Sequence, residues 1–303
     1  MNTIRRLKTT VARAFPCNWC RKKPEITPTT PTGGNMEGHR ALLVGINAYP
    51  SSPLNGCVND ITSMTELLTS SLYNFKSENI RLLVDSRATT AAILDHLNWL
   101  VQAQPGDEVL FHYSGHGAQV PTRNNAGEVD DLSEVVCPVD FDWSPERMIT
   151  DKQFVEIFKK LPDGVIFNWL SDSCHSGDLD KRMPPPDVKF RRFPVPADIL
   201  WRQRIAVHKK LERWFSKSKA MVGGVLDVGF MSGCQSDQTS ADAYIDGRAC
   251  GAFSYYFMKA LREDPQMKLD DLGNKVCRYL AGGGYSQKPS TEGARKGRPF
   301  LCT

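Results

Sequence analysis

Short apolar runs alternate with amphipathic stretches along most of this chain, and that alternation restricts the fold more than any other feature. The runs "ALLVGI" (41–46), "NIRLLVD" (79–85), "DEVLFHYSG" (107–115), "GVIFNWLSD" (164–172) and "VLDVGFMSGC" (225–234) suit strands covered on both faces. Between the first two, Val58, Ile61, Met64, Leu67 and Leu68 recur at helical spacing. "TTAAILDHLNWLVQA" (89–103) reads as a helix closed by Pro105-Gly106, and "ITDKQFVEIFKKL" (149–161) as one opening at Thr150 or Asp151. "GAFSYYFMKALRE" (251–263) and "LDDLGNKVCRYLA" (269–281) are further helices, with "PFLCT" expected as a last strand. The pattern predicts an α/β fold with a mainly parallel central sheet and helices on both faces. The stretch 118–142 is expected to be a long acidic loop.

Two segments break the rhythm. Residues 1–36 are rich in Pro, Thr and Gly, carry seven Lys/Arg against one acidic residue, and read as a tail or prodomain. Residues 181–222 hold a cluster of prolines, then "ILWRQRIAVHKKLERWF" (199–215), a basic amphipathic helix expected to pack as a lid or linker. The expected organisation is therefore a tail and one domain, 37–303, made of a large part (37–180), a basic insert (181–222) and a small part (223–303). The net charge of +4 hides an acidic body between two basic appendages. That distribution argues against a nucleic-acid-binding surface and suits cationic ligands. Nine irregularly spaced cysteines argue against a disulfide scaffold and for a cytoplasmic or other reducing compartment. No run approaches the roughly 20 apolar residues of a membrane span. The basic stretch 1–24 leaves an organelle-targeting peptide open.

Two motifs stand at the ends of predicted parallel strands, "HYSGHG" (112–117) and "DSCHSG" (172–177), where active sites of open α/β sheets collect. One offers His116 and the other Cys174. A thiol with an ordinary pKa of ~8.5 is mostly protonated at neutral pH, so a neighbouring imidazole is needed to make the nucleophile and later to protonate a leaving amine. The backbone N–H groups of Gly117 and Cys174 are candidates for an oxyanion site. His175 is a rival base, but adjacent residues on a turn rarely face each other. The plain alternative is a buried core cysteine.

"HYSGHG" and "DSCHSGD", with "ALLVGINAYPSSPLNGCVND" before them and "FMSGCQSDQTSADA" after, resemble a metacaspase of compact, type I-like arrangement. The resemblance runs from about Arg40 to the C-terminus and implies a caspase-like fold and a cysteine endopeptidase using a His116–Cys174 dyad. It implies cleavage after Arg or Lys, with Cys57, Asp60, Ser114 and Asp172 forming the substrate pocket. Paired carboxylates are what a guanidinium needs. The alternatives are a helix N-terminal charge for Asp60 and a turn residue for Asp172.

The resemblance also implies calcium activation through Asp131, Asp151 and one of Asp178 or Asp180, although Lys152 stands where the family often has a second Asp. The alternative is a solvated acidic loop. Lys181, Arg182, Arg191 and Arg192 are candidate self-processing sites for an enzyme cutting after basic residues. "CNWC" (17–20) supplies only two of the four ligands zinc needs, so no zinc is expected. No side chain offers itself as a third member orienting His116, and a backbone carbonyl could serve. A monomer is expected, acting on proteins or peptides with Arg or Lys before the scissile bond. The rival reading is a caspase-fold scaffold that is silent or awaits a partner.

Overall fold

The computed structural model describes residues 38–123, 129–174, 188–206, 227–235 and 238–301. The chain enters through β1 (Arg40–Gly45) and α1 (Cys57–Thr69), then β2 (Ile80–Val84), α2 (Thr90–Leu100) and β3 (Glu108–Ser114). A hairpin follows, β4 (Gly117–Arg123) with β5 (Val129–Val136), before β6 (Ile149–Thr150), α3 (Asp151–Phe158) and β7 (Ile166–Asp172). Beyond lie β8 (Lys189–Phe190), α4 (Ala197–Ala206), β9 (Asp227–Ser232), β10 (Ala241–Ile245) and β11 (Arg248–Gly251). The chain then forms α5 (Ala252–Glu263), α6 (Leu269–Gly282) and β12 (Ser290–Gly293).

The main sheet has the order β12-β9-β7-β3-β1-β2, parallel throughout except at the β12 edge. Strand alternation divides the core in two. Leu42, Val44, Val109, Phe111, Phe167 and Trp169 face α2 and α3, meeting Ile93, Leu97, Phe154 and Phe158. Ala41, Leu43, Leu110, Leu170 and Met231 face α1, α5 and α6, meeting Ile61, Leu67, Phe253, Phe257 and Val276. The opening of α3 is a capping box, in which Thr150 and Gln153 satisfy each other's backbone donors.

The stretch expected as an acidic loop is instead largely the antiparallel pair β4–β5, extended by β6. Ala118, Val120, Leu132 and Val135 are buried along it, but so are Gln119 and Ser133, so no apolar alternation marks the two strands in the sequence. "PFLCT" does not supply the last strand. Phe300 and Leu301 are fully buried against the α5–α6 face, and the antiparallel edge is the polar segment Ser290–Gly293. An apolar pair needs burial, not a ladder, whereas an edge strand needs only its backbone. Of the basic helix, the described part is α4, whose Gln203 side chain donates to the Gln119 carbonyl on β4 at 2.6 Å. Residues 1–37 and 207–226, which include the tail, its CxxC and the rest of that helix, lie outside the described residues.

Candidate active site

Parallel strands β3 and β7 are neighbours, with Ser114 opposite Asp172, so the two motifs leave the sheet side by side. Immediately beyond them, His116 and Cys174 are both fully buried. His116 donates from Nε2 to the main-chain oxygen of Ser52 at 2.7 Å, and its Nδ1 makes no well-formed hydrogen bond. The bond to Ser52 fixes the tautomer with the proton on Nε2 and leaves Nδ1 as the basic lone pair. Burial pushes the His116 pKa down to about 4, against contacts with the Ser52 and Arg191 backbones that raise it. The ring is therefore neutral and able to accept a proton. Tyr49 holds the loop: its hydroxyl accepts from the His116 N–H at 2.9 Å and donates to the Cys137 carbonyl.

The Cys174 thiol donates to the Gln238 carbonyl at 3.0 Å. Its backbone N–H points to the carbonyl oxygen of Arg191 at 3.2 Å, and the Gly117 N–H reaches the same oxygen at 3.1 Å. Two amides from the two motifs thus converge on one carbonyl.

The side chain of that same Arg191 enters the predicted pocket. It is fully buried, with Nη2 donating to Asp60 Oδ2 at 2.7 Å and to Asp242 Oδ1 at 3.0 Å. Nη1 donates to Ser114 Oγ at 2.7 Å and lies 3.1 Å from Asp172 Oδ2. Burial works against the Arg191 charge, but the carboxylates of Asp172, Asp60 and Asp242 outweigh it and hold the guanidinium firmly protonated.

The carboxylates are held by the framework as well as by Arg191. Asp242 accepts from the N–H groups of Asn55 and Gly56, and Asp60 from that of Gly251. Asp172 accepts from Ser240 Oγ and from the N–H and hydroxyl of Ser254. Each therefore keeps its orientation while still meeting the guanidinium. Burial pushes the Asp60 pKa up to about 6, with Arg191 drawing it down and Asp172 raising it. The Cys57 thiol, buried beside the pocket, is pushed far up by desolvation and acts as a neutral wall. A Cβ on Gly251 would strike Asp172 Oδ2 and stand 2.7 Å from Arg191 Nη1, so the glycine is what leaves space for the guanidinium.

Asp242 is the pocket residue that sequence reasoning missed. It lies in the "SADA" segment on β10, and only the β10–β11 pairing, which sets it opposite Gly251, turns it to the site. The side chain of Asp131 and the residues Asp178, Asp180, Lys181 and Arg182 lie outside the described residues, as does the rival base His175. Asp151 opens α3 and bonds the Lys152 N–H at 2.9 Å. Of the four calcium candidates, Asp151 is the one whose side chain is described.

A cysteine and a histidine at neighbouring strand ends of this sheet, beside an acidic pocket, are the parts found in cysteine peptidases of the caspase-like class. A family model, the metacaspase peptidase C14 domain, matches residues 39–181. Metacaspase-1A of Aspergillus fumigatus is 34% identical over 281 residues, covering 82% of this chain and 67% of its own. Metacaspase-1 of Coccidioides immitis is 34% identical over 287 residues, covering 84% of this chain and 61% of its own. The chain belongs to the metacaspase family, and it spans about two thirds of the length of these relatives. Among solved structures, protein GSU0716 of Geobacter sulfurreducens superposes with a TM-score of 0.61 at 25% identity, covering 87% of this chain and 98% of that one. Caspase-1 of Spodoptera frugiperda shares the fold, with a TM-score of 0.54 at 12% identity, covering 91% and 96%.

Proposed function

We propose that this chain is an endopeptidase that cuts after arginine or lysine, and that its first substrate is its own Arg191–Arg192 bond. The observation that carries the reading is the seat of Arg191, whose side chain meets three carboxylates while its carbonyl oxygen receives the N–H groups of Gly117 and Cys174. A residue bound in this way is disposed as the one before a scissile bond. The main chain supports it on the other side too. Arg191 N–H donates to the Ser240 carbonyl at 3.0 Å, and Phe190 and Lys189 pair antiparallel with Ala241 and Asp242. An extended segment added to a strand edge is a common way to present a peptide.

In the proposed reaction Cys174 Sγ adds to the Arg191 carbonyl carbon as its proton passes to His116 Nδ1. The oxyanion gathers charge against the two amides. Collapse breaks the C–N bond, His116 returns the proton to the departing amine, and a water then hydrolyses the thioester. While Arg191 stays in place no outside substrate can enter, so cutting this bond, or withdrawing the segment, opens the site. Calcium activation is proposed as the means of releasing the segment, and no chemical step is routed through the ion. The other candidates for processing, Lys181 and Arg182, are further cuts of the same kind.

Hydrolysis of short fluorogenic amides ending in Arg, Lys or Asp tests the reading, comparing wild type with Cys174→Ala, each with millimolar calcium and with a chelator. Arg and Lys amides are expected to be cut by wild type alone. Silence in every lane from folded protein moves the reading to a non-cleaving scaffold, and equal rates with chelator remove calcium.

A further inference from the structure

The segment that fills the site continues past Arg191, and its next inward side chain also finds a pocket. Burial alternates along it: Arg191 is buried, Arg192 half-buried, Phe193 only 6% exposed and Pro194 exposed. That is the period of an extended chain, so Phe193 faces the site from the same side as Arg191. The backbone fixes the register. Phe193 N–H donates to the Gly117 carbonyl at 3.3 Å while Gly117 N–H donates to that of Arg191, so residues 191–193 straddle Gly117.

The Phe193 ring lies edge-on to Tyr49 at 5.3 Å between centroids and to His116 at 4.8 Å, and tilted on Phe141 at 5.1 Å. These are favoured geometries for aromatic pairs. Its walls stand without it: the Tyr49 hydroxyl is tied to Tyr113 and to the Cys137 carbonyl, and Phe141 packs on Trp143 at 5.0 Å. Resting on the proposed cleavage after arginine, we infer that Tyr49, Phe141 and the face of the His116 ring that Phe193 covers form a subsite for an aromatic side chain two residues beyond the scissile bond. Substrates are then read on both sides of the cut, by charge before it and by an aromatic ring after it. A ring seated there also shields the catalytic imidazole from water, which strengthens its polar contacts.

The test uses the full chain after incubation with calcium, and internally quenched peptides Val-Gln-Phe-Arg-Ser-X-Gly with X as Phe, Leu, Ala or Asp. A fluorogenic amide ending in Arg, with nothing beyond the scissile bond except the reporter, is assayed in parallel. The subsite predicts kcat/KM at least about tenfold higher for Phe than for Ala, the size expected from burying one ring, with Leu between them and Asp lowest. In Phe141→Ala the Phe-to-Ala ratio falls toward one, and Phe141→Leu restores part of it. Turnover of the Arg amide with equal rates for Phe and Ala peptides overturns the subsite alone. No turnover of the Arg amide overturns the cleavage reading beneath it, and the subsite with it.

Discussion

Three carboxylates within reach of one guanidinium set the behaviour of this site at the scale of single residues. Asp60, Asp172 and Asp242 are all buried, and a cluster of that kind persists only when each member is bonded and a cation completes it. Asp60 is the member whose proton affinity is most telling. Burial lifts its pKa to about 6, and the guanidinium draws it down from where burial alone would put it. By linkage, the pocket without arginine holds the proton more tightly, so binding an arginine expels it and weakens as pH falls. KM for Arg peptides is therefore expected to rise as pH falls toward 6, by up to about tenfold per unit, and to level off below it, where the proton stays on Asp60 with or without arginine. kcat should move less over that range, because buried His116 stays neutral down to about 4. A profile in which kcat falls while KM stays flat would put the titration on the base instead. Asp60 and Asp172 were legible in the sequence because each sits within a recognisable motif at an element end. Asp242 was not, since its role comes from a hairpin partner and not from its neighbours in the chain. The carbonyl that holds His116 was foreseen only as a type, because any residue carries one and nothing in the side chain of Ser52 marks it.

Among the elements, what could be read depended on how strongly a pattern was forced. The parallel strands and the helices α1, α2, α3, α5 and α6 fall where apolar runs and helical spacing put them, because both faces of the sheet must be covered. The β4–β5 hairpin was hidden by acidic residues and by Pro121 within a strand, and β12 by its polarity. The junction between β11 and α5 carries its own prediction. Gly251 donates its N–H to Asp60 and presents bare backbone to the guanidinium, so the start of α5 closes the pocket only because no side chain is there. Gly251→Ala is expected to lower kcat/KM for Arg amides by about 100-fold, as a methyl group in van der Waals overlap with both Asp172 and the guest must displace one of them. The thermal unfolding midpoint should fall by no more than a few degrees. Unchanged cleavage of Arg amides would show that arginine does not enter at this point.

Over the whole molecule, the charge division seen in the sequence becomes a self-recognition. The acidic body receives a cation from the basic insert, and the insert's extended segment occupies the pocket, the oxyanion amides and the aromatic face together. On the proposed reading, such a precursor stays shut until the segment is cut or withdrawn. Intact-mass analysis of the purified full chain after incubation with millimolar calcium tests this most directly. Wild type should split into fragments ending at Arg191 and beginning at Arg192, Cys174→Ala should remain whole, and Arg191→Gln should lose that cut. A wild-type chain that cleaves Arg peptides yet is never cut after Arg191 would contradict the account.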